Sequence, residues 1–190
     1  MDYLSVTQVL GFFTDTRWYT EESRVRGNSV HDFCNLLVTK NITLQDATKK
    51  YCNDNVPYKS FYQSFIKWSE VCDPLPLVAE ERFADKKLGL TGKPDFIGTI
   101  NGKKGLGIID FKTSSHSYPQ WDFQIAAYVY LATISGLKID WGATLSIQEN
   151  GTASRLKYTF AFNSVENKYL AALQGTFFSL LNISKTNGWA

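Results

Sequence analysis

Asp110 and Lys112 stand two positions apart in the stretch Gly107-Ile108-Ile109-Asp110-Phe111-Lys112-Thr113-Ser114-Ser115-His116. Its β-branched and aromatic residues, opened by Gly and closed by Ser, predict a buried strand. Side chains alternate across a strand, so Asp110 and Lys112 share one face while Ile109 and Phe111 share the other. A second acid, Asp95, lies in the apolar stretch Gly92-Lys93-Pro94-Asp95-Phe96-Ile97. Between the two stretches, Asn101-Gly102 is a two-residue hairpin signal. Counting outward from that turn brings Asp95 close to Asp110 on one face. Two close carboxylates repel, and one stays protonated unless a cation relieves the conflict. Carboxylates with a few waters suit Mg2+ or Mn2+. Lys112, on the same face, can then orient or activate a water or stabilise charge on a phosphate.

Each feature alone has an ordinary explanation. A D-x-K triplet is most often a solvent-facing ion pair, and Asp95 by itself reads as a turn or edge residue. The combination shifts the balance, because both acids fall on adjacent strands of one hairpin, on one face, with apolar flanks. A partly buried, unpaired charge is costly against a total stability of about 5–15 kcal/mol, so such a charge calls for a partner.

The elements that must hold these residues follow from periodicity and caps. Ser5 caps a short helix, and a longer helix is predicted from Glu22 to Leu37, with Val30, Phe33, Cys34 and Leu37 on one face. Thr43 caps a third helix, and Pro57 opens a fourth. Residues 1–73 therefore read as a helical N-terminal part. Strands are expected over Leu77–Phe83, Lys93–Ile100 and Gly105–Thr113, then an all-round apolar, buried helix over Trp121–Ser135. Strands over Trp141–Ile147 and Arg155–Phe162 complete a sheet core spanning 74–162. A helix over Ser164–Leu181 closes the chain in the C-terminal part, 163–190. The expectation is one α/β domain over 1–190, a mixed central sheet flanked by helices.

Composition bounds the rest. A chain of 190 residues with 44% hydrophobic and 15% aromatic residues fits a globular core rather than disorder. The net charge of +2 does not by itself point to a polyanionic partner. No apolar run approaches the length of a bilayer span, and Asp2 with no basic cluster argues against a signal peptide, so an intracellular protein is expected. Cys34, Cys52 and Cys72 form no CxxC and read as reduced structural thiols.

Pro94-Asp95, followed after a hairpin by Asp110-Phe111-Lys112, resembles the PD-(D/E)xK nuclease superfamily. Three further features resemble its RecB-type members: Gly27-Asn28-Ser29-Val30-His31 as G-x-x-x-H, Asp110 to Ser114 as D-x-K-T-S, and Gln124-Ile125-Ala126-Ala127-Tyr128 as Q-x-x-x-Y. The resemblance covers Ser5 to about Tyr130. It is greatest to small stand-alone exonucleases, namely viral recombination exonucleases and the mitochondrial genome maintenance exonuclease. It implies a restriction-endonuclease-like core and a Mg2+- or Mn2+-dependent exonuclease. Such an enzyme cuts DNA to a 5′-phosphate and a 3′-hydroxyl in recombination, repair or replication of a virus or mobile element. The implied metal ligands are His31, Asp95, Asp110 and the Phe111 carbonyl. Lys112 is the implied catalytic cation, with Gln124 and Tyr128, one helical turn apart, at the edge of the site.

The remaining candidates concern substrate. Glu81, or its neighbour Glu80, matches an extra acid near the metal in some relatives; a solvated strand edge is the alternative. Thr113, Ser114 and Ser115 offer donors to a phosphate, whereas His116 reads as a loop residue. Arg17, Trp18, Tyr19, Arg24 and Arg26 interleave rings and cations before the His31 motif, a mixture suited to single-stranded nucleic acid. An amphipathic helix start explains them equally well. Lys86-Lys87 and Lys103-Lys104 read as solvated turn lysines. In the resting protein Asp110 is expected to face metal and Lys112 to face water and phosphate, so the two do not form a salt bridge. DNA with free ends is the expected partner, with a single-strand annealing or recombination protein and self-association as further partners. The competing readings are an endonuclease of the same fold and a non-catalytic DNA-binding module. An iron–sulfur relative is excluded because it needs four cysteines.

Overall fold

The computed structural model describes residues 3–15, 20–114, 116–161 and 164–189. Arg17, Trp18, Tyr19 and Ser115 lie outside these residues. Ser5 accepts from the Gln8 N–H while the Gln8 side chain accepts from the Ser5 N–H, a reciprocal cap that starts α1 (Val6–Gly11). Thr20 and Thr43 start α2 (Glu21–Val38) and α3 (Leu44–Tyr51) with the same hydroxyl cap. The fourth helix, α4 (Lys59–Cys72), begins two residues after Pro57 without a side-chain cap, behind a left-handed Tyr58.

The strands are β1 (Leu4–Ser5), β2 (Leu75–Val78), β3 (Phe83–Asp85), β4 (Leu90–Gly92), β5 (Phe96–Thr99) and β6 (Gly107–Lys112). Then come α5 (Gln120–Ile134), β7 (Trp141–Ser146), β8 (Arg155–Ala161) and α6 (Ser164–Thr186). A five-stranded sheet runs β2-β5-β6-β7-β8, and a small sheet runs β1-β4-β3. In the larger sheet only β6 and β7 are parallel, joined by α5 as the crossover. The expected mixed sheet flanked by helices is therefore present, with the small sheet added beside it.

Three boundaries differ from expectation. The strand expected over Leu77–Phe83 is two strands in different sheets, broken where Glu80 takes a left-handed φ of 56°. The strand expected over Lys93–Ile100 starts at Phe96, because Pro94 has no N–H to offer a ladder. The Asn101-Gly102 turn exists, with the Lys103 N–H donating to the Ile100 carbonyl at 3.3 Å, but strand pairing closes only at Gly98 and Gly107. Between them Asp140 takes the ladder's place: its side chain accepts from the Leu106 N–H and its own N–H donates to the Leu106 carbonyl. Beyond the last pair, Phe96 with Ile109, Asp95 reaches back to the Phe111 N–H and shares one cavity with Asp110.

Two apolar layers cover the large sheet. Ile97 and Ile108 pack with α1, α5 and α6, whereas Phe96, Ile109 and Phe111 pack with α2, α3 and α4. The strict alternation of β6 thus puts Asp110 on the α5 side. Among the described residues no helix is long and apolar enough to cross a membrane. The three cysteines are free, with Cys34 buried.

Candidate active site

The site forms where β5 stops and β6 continues. Pairing with β5 ends at Ile109, so the Phe111 N–H has no strand partner; it donates instead to Asp95 Oδ2 at 2.6 Å. The Lys112 carbonyl accepts from the Ile147 N–H on the β7 side. Carbonyl direction alternates along a strand, so the Phe111 carbonyl points the other way, toward Asp95. His31 reaches this open end from α2, its Nδ1 3.2 Å from Asp95 Oδ1 and its ring 6.1 Å from that of Phe111. The hold on His31 comes from the buried face of α2, where Val30, Phe33 and Cys34 are fixed in the core.

On the α5 side, Gln124 organises three groups. Its amide nitrogen donates to Asp110 Oδ1 at 2.9 Å and to the Tyr128 hydroxyl at 3.0 Å. Its amide oxygen accepts from Lys112 Nζ at 3.0 Å. Gly92 permits this, because a Cβ there would stand 2.9 Å from the Tyr128 ring. Lys112 Nζ also lies 2.5 Å from Asp110 Oδ2 and 5.5 Å from the centre of the Trp121 ring. The expectation that Asp110 and Lys112 stand apart is thus corrected: they form an ion pair, since a shared strand face sets them together. The angle is poor, however, and Asp110 Oδ2 is buried without a well-aligned hydrogen-bond donor.

Burial opposes charge on all these groups, and their neighbours decide the outcome. At His31 the Asp95 carboxylate overcomes burial, with Asp110 behind it, and raises the imidazole to about 9. At Asp95 burial is likewise outweighed, first by His31 and then by the Phe111 N–H, so its carboxyl is held low. Burial raises Asp110; Lys112 opposes that, and the nearby Asp95 charge adds to it. Burial, with Asp110 beside it, pushes the Tyr128 phenol well above its ordinary value.

One cavity of about 350 Å³ is lined by His31, Asp95, Asp110, Lys112, Gln124 and Tyr128 together. A second, of about 490 Å³, is lined by Arg24, Arg26, Thr113 and Ser114. Arg24 is engaged by Glu21 through two contacts, at 2.9 and 2.5 Å, and the Arg26 guanidinium lies 5.5 Å from the centre of the Phe61 ring. Glu81 is exposed and lines neither cavity, and Glu80 pairs with Lys93. The broken strand turns Arg82 to the main cavity instead, alongside Lys93 and Thr7, three residues the sequence reading did not select. Lys93 had a legible signal, since it precedes Asp95 by one strand period. Thr7 and Arg82 had none, as only tertiary packing brings α1 and the residue before β3 to this site.

The donor set fits a hard divalent cation. Two nearly buried carboxylates and a backbone carbonyl on the same side converge there, and Asp110 Oδ2 lacks an aligned donor; His31, held protonated by Asp95, would have to lose that proton to join them. Among the described residues no group of three or more His, Cys, Asp or Glu side chains stands where it could hold a metal ion by itself. Two carboxylates plus water is the usual share of protein ligands for Mg2+.

No curated protein matches the sequence. Solved structures similar to it include a "putative exonuclease" from Eubacterium rectale, with 13% identity and a TM-score of 0.48 over 95% of this chain and 82% of that one. Nucleases of the PD-(D/E)XK type generally use divalent metal ions such as Mg2+ and act on DNA. The model of that family matches residues 8–181, and the chain belongs to the PD-(D/E)XK nuclease superfamily.

Proposed function

We propose that this protein is a metal-dependent DNA exonuclease, with Asp95, Asp110, Lys112, Gln124 and Tyr128 as its catalytic set. The observation that carries this reading is the network in which one amide, Gln124, holds Asp110 and Lys112 beside Asp95 in a single cavity. Asp95, Asp110, the Phe111 carbonyl and His31 would hold Mg2+ or Mn2+. Such an ion, when bound, neutralises a phosphate and lowers the pKa of its water. Lys112 positions the attacking water and meets charge developing on the phosphate. Gln124 fixes the lysine and the aspartate in register, and Tyr128 fixes Gln124. Arg24, Arg26, Thr113 and Ser114, around their own cavity, suit the backbone of the bound strand. In-line attack needs no covalent intermediate and leaves a 5′-phosphate and a 3′-hydroxyl. An intracellular role in recombination, repair or replication of a virus or mobile element fits such an enzyme, with an annealing partner protein or self-association as its natural company.

The test is digestion of linear single- and double-stranded DNA, labelled at each end, beside closed circular DNA, with and without Mg2+ or Mn2+. Release of nucleotides from linear DNA only, with metal only, is the expected result. Cutting of the circle favours the endonuclease reading. Lys112→Ala should abolish cleavage while the protein stays folded; wild-type cleavage by that variant would sink the assignment.

A further inference from the structure

The main cavity does not end at Lys112. Thr7, Lys112 and Gln124 also line a neck of about 220 Å³ that continues along α1 past Leu10 and Thr14. Leu10, Thr14 and Gln120 in turn line a groove of about 430 Å³, together with Phe13, Tyr118 and Phe123. The three spaces therefore share walls in sequence. A chain of rings follows the same path: Lys112 Nζ lies 5.5 Å from the Trp121 ring, and Trp121 meets Tyr118 edge-on at 5.4 Å.

The groove differs in chemistry from the spaces around it. Among the described residues no lysine or arginine lines it, and its lining is mostly apolar. Phe13 and Tyr118 are 42% and 37% exposed, rings at the surface of an apolar cleft. Tyr118 also lines the cavity of Arg24, Arg26, Thr113 and Ser114. It is thus a ridge with cations and hydroxyls on one side and aromatic surface on the other. That division matches one strand of a polynucleotide, whose phosphates are anionic and whose bases are flat and apolar. Bases in a duplex are paired inward and stacked on each other, so they offer no free face to such rings without flipping out.

We infer that the Phe13–Tyr118–Phe123 groove is a base-binding subsite, which receives the unpaired bases of single-stranded DNA next to the phosphate held at Lys112. This rests on the nuclease reading above and narrows its substrate to a strand that is single at the site. The groove supplies stacking, and the Arg26 side of the ridge supplies the backbone contact.

Binding in EDTA, where metal-dependent cleavage is stopped, tests it. The probes are a fluorescein-labelled oligodeoxythymidylate, an abasic strand of equal length and a duplex. The wild-type protein is expected to hold the oligodeoxythymidylate about tenfold more tightly than the abasic strand. Phe13→Ser with Tyr118→Ser should remove that preference, bringing oligodeoxythymidylate binding down to that of the abasic strand, while Tyr118→Phe should keep it. Both side chains are exposed, and equal melting midpoints check that the variants fold. Equal binding of the two strands by the wild type overturns the inference, as does an unchanged preference in the double variant. Binding of the duplex with the same dependence on Phe13 and Tyr118 also overturns it. Cleavage is read separately: a missing base preference with metal-dependent cleavage intact removes the subsite and spares the nuclease reading. Absence of cleavage removes that reading whatever the groove binds.

Discussion

Asp85 and Asp110 are both nearly buried, at 8% and 3% exposure, and each is tied to a polar side chain of the same helix, α5. Asp85 accepts from the Tyr130 hydroxyl at 2.6 Å and from the N–H groups of Lys87 and Leu88 at 2.8 and 3.0 Å. The Tyr130 hydrogen bond, helped by those two N–H groups, holds its carboxyl low against its burial. Asp110 has one aligned donor, Gln124, an ill-aligned lysine and a second carboxylate nearby, and its carboxyl is raised. The first acid closes a turn between β3 and β4; the second faces a cavity. Burial of an acid therefore does not mark a functional site. An acid held with unmet demand, next to another charge and open to a ligand, is the candidate for one.

Substitutions at the two acids should separate these roles. Asp110→Asn should lower DNA cleavage by roughly 10³-fold or more while the melting midpoint holds, measured by initial rates and thermal melts. A normal rate would place Asp110 with Asp85 as a structural group. Gln124→Ala should cost roughly 10–100-fold in rate or in metal requirement, because it removes the amide that aligns both Asp110 and Lys112. A metal titration of activity reads this. Asp85→Ala should reverse the pattern, leaving cleavage per folded molecule intact and lowering stability by about 1–3 kcal/mol as three donors lose their acceptor. Urea unfolding measures that loss.

The smallest effect tests pH. Asp85 has a lowered pKa in the folded protein, so the unfolded chain binds its proton more readily. Its contribution is complete above the ordinary carboxylate range and fades as pH falls through the folded value. Tyr130→Phe should cost about 0.5–1.5 kcal/mol at neutral pH. It should also shrink the loss of stability on acidification, because the folded and unfolded carboxyls then titrate closer together, read from urea midpoints between neutrality and the acid limit. An unchanged acid limb would show that the Tyr130 hydroxyl is not what holds Asp85 low.

Much of the site was legible because its residues are spaced by element periods. Asp110 and Lys112 share a strand face, and Gln124 and Tyr128 share a helix face, by geometry that holds in any fold. The hairpin between Asp95 and Asp110 was legible as a turn but not in its width, since Asp140, from a distant loop, replaces part of the ladder. Glu81 illustrates the limit. An unbroken strand would have given it an alternating face, but the left-handed Glu80 breaks that strand and Arg82 reaches the cavity instead.

The sequence by itself determined the order of the helices, the hydroxyl caps of Ser5 and Thr43 and the set of residues that carry the family pattern, because these depend on local periods and local hydrogen bonds. Only the tertiary structure decided how those residues are charged and where they lead. His31 is raised by an acid that lies 64 positions away, and Asp110 is raised by a burial that α5 supplies. The groove beyond Lys112 is likewise built from α1, the segment before α5 and α6. Electrostatics and cavities depend on distance in space, and the fold alone sets that distance.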